Sequence, residues 1–232
     1  MKFHYLQHVA FENPGIILEW IEENNHSVTH TRLDLGQSLP NDQDFDALIV
    51  MGGPMNIYEE EQYPWLKAEK TFIKKAINDK KFVLGICLGA QLIADVIGGQ
   101  VKRNQQVEIG WFPIEACDSG SNILPELVKK PEVFHWHGDF FTDLPKDAII
   151  FAKSQACPHQ GYVYRDKVFG FQFHLENTAR IIDDLVKNCG DEMVPGPFVQ
   201  DAEEVLNQTE KIKGNNLMMK AFLDACFKNV EA

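Results

Sequence analysis

Positive charge is scarce in this chain. Its 22 lysines and arginines face 34 aspartates and glutamates, a formal net charge of −12. That balance argues against nucleic acid or an anionic membrane surface as partner, since both call for a basic patch. Long hydrophobic runs are also missing, and none approaches the roughly 20 residues that span a membrane. Residues 1–8 are interrupted by polar side chains and no small-residue cleavage site follows, so no signal peptide is read and a cytoplasmic protein is expected. The five cysteines (87, 117, 157, 189, 226) are odd in number and contain no Cys-x-x-Cys pair, which excludes an orderly disulfide framework and predicts reduced thiols. His135 and His137 can share a strand face, but no acidic or cysteine partner stands at a telling spacing, so no metal is expected. Nothing specifies an organic cofactor, and neither the Walker nor the dinucleotide glycine pattern occurs.

What is present centres on residues 82–94. Residues 82–86 form an apolar run that reads as a buried parallel strand. Residues 88–97 return to helical spacing, with Leu88, Leu92, Ile93, Val96 and Ile97 apolar. Cys87 stands at the joint, flanked by Gly85 and Gly89. Gly-x-Cys-x-Gly at a strand-to-helix joint is the cysteine form of the nucleophile elbow. Small residues are needed on both sides because the backbones approach closely. The turn sets the sulfur at a helix N-terminus, where the dipole favours thiolate, and brings the N–H of Leu88 to the same spot. The competing reading is a buried, inert cysteine.

Around that joint the order is regular. Residues 2–9, 27–33 and 45–51 read as strands, residues 14–23 and 64–79 as helices, and residues 34–44 as a loop. The third strand ends in Gly52-Gly53-Pro54. Alternating strands and helices predict an α/β fold with a mostly parallel, doubly wound central sheet of the flavodoxin-like kind, active residues gathering at carboxyl strand ends. From about residue 100 the texture becomes strand-rich: 100–103, 110–116, 133–136, 148–152, 161–164 and 168–174, with a short helix over 124–130. No linker separates the halves, so one domain over 1–232 is expected. Helices over 178–188, 202–214 and 216–228 close the chain.

The strand over 168–174 ends in His174-Leu175-Glu176. Side chains two apart share a face, so the carboxylate can orient the imidazole, the base-plus-orienter arrangement of nucleophilic catalysis. A strand-end histidine beside an exposed glutamate is the alternative.

Gly-Gly-Pro at 52–54, Gly-Ile-Cys-Leu-Gly-Ala-Gln at 85–91 and Gly-Phe-Gln-Phe-His-Leu-Glu at 170–176 fall in order. Together they resemble the class I (triad) glutamine amidotransferases, in particular the GMP-synthase-like stand-alone branch, over about residues 45–176. The resemblance implies Cys87 as nucleophile toward the glutamine amide, His174 as base and Glu176 as its orienter. It implies an oxyanion hole from the N–H groups of Gly53 and Leu88, and glutamine binding by Gln91. Trp136-His137-Gly138-Asp139 is similar to the family's His-Gly-Asp segment, which implies that Trp136, His137 and Asp139 help hold the substrate's α-amino and carboxylate ends. Glu108-Ile109-Gly110 is also similar to a motif of this branch, without a role the residues reveal.

Leu175 stands where most members have proline, so a looser turn before Glu176 is expected. No synthase domain or P-loop accompanies the motifs, so an ammonia acceptor would be a separate synthase subunit, or there is none. Two substrates fit the same chemistry: glutamine, with release of ammonia, or a γ-glutamyl compound such as a glutathione-like peptide. A non-catalytic regulatory module is the reading from another class.

Overall fold

The most apolar runs of the chain lie side by side. In the computed structural model, which describes residues 1–117 and 120–227, β3 (Ala47–Val50) and β4 (Phe82–Ile86) are buried at every position. Strands covered on both faces must be apolar throughout. β1 (Lys2–Gln7) pairs with β3, and β2 (Ser27–Arg32) forms the edge, all parallel. β4 pairs in parallel on its other side with β9 (Val168–Phe171). Beyond β9 the sheet continues antiparallel through β8 (Gly161–Tyr164), β7 (Ala148–Ser154), β5 (Gln100–Ala116) and β6 (Glu132–Thr142). The nine strands run in the order β2-β1-β3-β4-β9-β8-β7-β5-β6.

Residues two apart in the strands supply two cores. Phe3, Tyr5, Ile49 and Leu84 face α1 (Ile16–Glu23), while Leu6, Leu48, Val50 and Val83 face α2 (Trp65–Asn78) and α3 (Leu88–Val96). The last three long segments each cover part of the sheet. α5 (Ala179–Cys189) and α6 (Ala202–Leu206) pack Ile182, Leu185 and Val205 with Trp111 and Phe134 of the antiparallel half. α7 (Lys211–Phe227) packs on the α1 side, its Phe222 ring meeting Phe169 edge-on with centroids 5.0 Å apart. Each such buried aromatic is worth about 1.5–3 kcal/mol of transfer free energy.

Several expectations are corrected. The α/β fold stands, but the sheet is mixed rather than mostly parallel, because of the strand-rich second half only β9 joins in parallel and β8, β7, β5 and β6 follow antiparallel. The strands expected at 100–103 and 110–116 are one long strand, β5, whose pairing with β6 shifts between Arg103 and Glu108. The polar residues 104–106 look like a turn in sequence and are a β-bulge in fact. The short helix of 124–130 is a 3₁₀ turn, Pro125–Lys129, preceded by the single turn α4 (Gly120–Ile123). The helix expected over 202–214 stops at Leu206 after a capping box between Asp201 and Glu204, and α7 begins at Lys211 and runs through Gly214. Its expected end, Lys228, lies outside the described residues. No helix among the described residues is long and apolar enough to cross a membrane.

Candidate active site

Cys87 occupies the joint between β4 and α3 with φ 52° and ψ −111°, a conformation L-residues seldom adopt. The surroundings enforce it. A Cβ on Gly85 would collide with the backbone of Gly89, and a Cβ on Gly89 with the carbonyl of Val50. The Cys87 N–H donates to the Phe171 carbonyl at 2.7 Å, tying the elbow to the end of β9. Backbone strain of this kind persists where the fold over-determines it and marks functional positions.

Past Phe171 the chain leaves the sheet. His174 N–H donates to the Phe134 carbonyl at 2.8 Å and its ring meets the Phe134 ring edge-on, while the imidazole hydrogen-bonds Cys87. Nδ1 of His174 lies 2.7 Å from Oε1 of Glu176, both side chains buried. The expected loosening at Leu175 does not occur. Asn216 of α7 donates its amide to the carbonyls of Leu175 (2.9 Å) and Asn177 (3.0 Å), and Ile16 N–H of α1 donates to that of Glu176 (2.9 Å). The Leu175 side chain is itself fully buried in the core. Tertiary contacts replace what proline would fix locally.

The thiol is buried, which raises its pKa, and the hydrogen bond and charge of His174 with the Leu88 N–H pull it back only in part. Burial lowers the His174 pKa, but the Glu176 charge and hydrogen bonds to Cys87 and Glu176 lift it well above the usual value. Coupled this tightly, thiol and imidazole titrate as one pair.

Cys87, His174, Gly53, Leu88, Gln91, Trp136, His137 and Asp139 all border one cavity of about 650 Å³, with Glu176 behind His174. The Gln91 amide reaches across its floor, donating to the Asp139 carbonyl and to Gln172 Oε1, both at 3.2 Å. The Trp136 carbonyl is 3.6 Å from the sulfur, and its indole N–H donates to Glu192 at 2.9 Å. The Asp139 carboxylate accepts from Asn56 at 2.6 Å and faces Arg103 at 3.5 Å. Arg103 lies flat on Gly138, where a Cβ would strike the guanidinium. The His137 ring makes its polar contacts elsewhere, with Glu108, Gln160 and the Asp139 carbonyl.

Two neighbours escaped sequence reasoning. Glu12, buried at the cavity wall, lies against Gly52, and burial pushes its carboxyl up to about 7 although His174 and His8 oppose this. His8 bonds the Gly52 carbonyl through Nδ1 at 2.9 Å and Glu69 through Nε2 at 2.8 Å. Burial lowers its pKa, but Glu69 and the Gly52 carbonyl raise it on balance; since that carbonyl only accepts, Nδ1 is the donor toward Gly52. In a trans peptide the N–H of Gly53 points opposite the Gly52 carbonyl, so His8 fixes its direction away from the buried dyad. Neither residue carries a local motif: the partners of His8 are 44 and 61 positions away, and Glu12 meets Gly52 from far along the chain. The acidic partner missing at the His135–His137 pair is Glu108, directly opposite His137 in the β5–β6 pairing. The Glu108-Ile109-Gly110 motif held that signal.

Comparison with known proteins agrees with this geometry. The family model "Glutamine amidotransferase class-I" matches residues 15–190. The glutamine amidotransferase-like protein YfeJ of Salmonella typhimurium is 34% identical over 199 residues, covering 83% of each chain. GMP synthase [glutamine-hydrolyzing] of Lactobacillus gasseri is 31% identical over 186 residues, which span 75% of this chain and only 35% of that protein. Among solved structures, SMU.1228c superposes with a TM-score of 0.91 at 32% identity, covering 97% of this chain and 99% of that one. A glutamine amidotransferase from Thermotoga maritima gives 0.87 at 30% identity, with 97% of each chain covered. An elbow cysteine, a strand-end histidine and a family match across most of the chain lead to one conclusion: the protein belongs to the class-I glutamine amidotransferase family.

Proposed function

We propose that this chain is a single amidotransferase domain that hydrolyses the γ-amide of glutamine through a thioester on Cys87. The observation that carries the reading is that Cys87 and His174 border one cavity, with Glu176 hydrogen-bonded to His174 behind it. Cys87 Sγ attacks the amide carbon while its proton passes to Nε2 of His174, the nitrogen left free by the Glu176 hydrogen bond. His174 returns the proton to the departing nitrogen, which leaves as ammonia. Water, deprotonated by His174, then cleaves the thioester to glutamate and restores the thiol. Each half passes through an oxyanion for which the N–H groups of Gly53 and Leu88 are the donors. Gln91, Trp136 and His137 form the pocket wall, and Asp139 with Arg103 offers opposite charges to the α-amino and α-carboxylate ends.

The likeness to GMP synthases supports a synthase as the acceptor of the ammonia. The size of the cavity, about 650 Å³, favours a second substrate class, since it exceeds what one amino acid fills. A γ-glutamyl peptide shares the reacting carbonyl and differs only in its leaving group. Release of ammonia and glutamate from glutamine, beside cleavage of a γ-glutamyl dipeptide, with Cys87→Ala as control, tests both. Turnover of glutamine lost in the control supports the amidotransferase reading. Turnover of the dipeptide alone assigns a γ-glutamyl hydrolase; silence on both means either an oxyanion hole that a partner must assemble or a module without chemistry, and labelling of Cys87 by a glutamine-like diazo-ketone separates the two.

A further inference from the structure

We propose that Glu108, His135 and His137 form a buried site for a zinc-class divalent metal ion, clamped between β5 and β6 behind the cavity wall. The three side chains come from adjacent strands, with Glu108 opposite His137 and His135 two residues along the same face. Glu108 and His135 are fully buried and His137 is 5% exposed. One ligand atom from each lies within 4.8 Å of the others.

Proton accounting carries the argument. Nδ1 of His137 lies 3.1 Å from the Asp139 carbonyl, which only accepts, so Nδ1 bears the hydrogen and Nε2 of the neutral ring is a lone pair. That lone pair is 3.2 Å from Glu108 Oε2. Nε2 of His135 lies 3.3 Å from the Phe112 carbonyl, which again leaves a lone pair on Nδ1. It has no hydrogen-bond partner and faces the same Glu108 oxygen at 3.7 Å. Two buried lone pairs thus converge on one carboxylate oxygen, which also accepts from Gln160 at 2.6 Å and Ser154 at 3.0 Å, and a cation among the three meets the His135 lone pair and the Glu108 Oε1 that nothing else meets. Imidazoles whose outer N–H groups bind carbonyls are the usual outer arrangement of metal-bound histidine. A tetrahedral ion with bonds near 2.0–2.2 Å holds its ligand atoms about 3.3 Å apart, close to the spacings here. The Gln160 amide nitrogen donates to Glu108 Oε2 at 2.6 Å and Ser154 Oγ at 3.0 Å and lies 3.3 Å from His137 Nε2, while its oxygen has no partner. Turning that amide over presents the oxygen as a fourth ligand. Two imidazoles and a carboxylate suit zinc, and cobalt as its spectroscopic stand-in.

The competing occupant is a proton, with imidazolium His137 donating to Glu108 and no ion bound. The test uses full-length Cys87→Ala protein, so the active-site thiol takes no part, stripped with chelator and titrated with Zn²⁺ and Co²⁺. The proposal expects one equivalent of bound metal and visible Co²⁺ d–d absorption without sulfur charge transfer. It also expects Tm to rise by about 5 °C or more at a hundredfold excess over Kd. Glu108→Gln, nearly isosteric, should fold and lose most of the affinity. Absence of stoichiometric metal, binding unchanged in folded Glu108→Gln, or sulfur ligation would each overturn the site. No readout depends on catalysis, so failure here leaves the reading of Cys87 untouched.

Discussion

Two buried imidazole–carboxylate pairs flank the elbow at nearly the same distance, 2.7 Å for His174–Glu176 and 2.8 Å for His8–Glu69. In both, the carboxylate raises the histidine pKa against burial. They differ in what the second ring nitrogen meets. For His174 it is the thiol of Cys87, and for His8 it is the Gly52 carbonyl. Under the proposed mechanism the same pair of groups moves a proton in one place, while in the other it holds a peptide. The remaining contact, not the pair itself, decides the role.

The largest expected effect breaks the reactive pair. His174→Ala should lower kcat by about ten-thousandfold or more with the fold retained by circular dichroism, the scale seen when a member of a catalytic unit is removed. Next, Glu176→Gln should cost up to about ten-thousandfold, by analogy with the loss of an orienting carboxylate. It should also move the pH profile. With Glu176 present the raised His174 pKa contributes stability that is complete below pH 6.5 and lost as pH rises through the folded pKa. Without it burial dominates, so the His174 limb of kcat/KM shifts to lower pH. A limb that stays in place would contradict the assignment.

His8→Ala sharpens the comparison from the other side. It frees the Gly52–Gly53 peptide without touching the thiol, so kcat should fall about a hundredfold, the scale of one misplaced oxyanion donor, while Cys87 alkylation by iodoacetamide stays near the wild-type rate. Loss of alkylation in parallel would mean that His8 acts on the thiol instead. The smallest effect on activity, within about tenfold, belongs to Glu12→Gln. Its signature lies in stability. The folded pKa of Glu12 is about 7 against an ordinary 4.5, so the unfolded chain releases the proton first and stability falls as pH rises between those values. At 1.36 kcal/mol per unit that loss is about 3 kcal/mol, and the variant should lack it in urea melts at pH 4.5 and 7.

Legibility followed the range of the interactions. The parallel half could be read because β3 and β4 are short apolar runs closed by glycines, a local signal. The elbow could be read because Gly85 must clear the backbone of Gly89 only four positions on, although Gly89 itself is required by the Val50 carbonyl of β3. The antiparallel half was misread where pairing overrode composition, as in the bulge between Arg103 and Glu108. Leu175 misled because its turn is held by Asn216 and Ile16, 41 and 160 positions away in the chain. His8 and Glu12 left no trace, since a buried dyad and a carboxyl against Gly52 exist only once the sheet has formed.

The central claim is that Cys87 carries the glutamyl group during turnover. Rapid acid quench of protein mixed with glutamine, followed by peptide mass spectrometry, addresses it directly. The account predicts one glutamyl adduct on the peptide containing Cys87, formed within a single turnover and absent in Cys87→Ala. Release of ammonia without that adduct, surviving in Cys87→Ala, would contradict it.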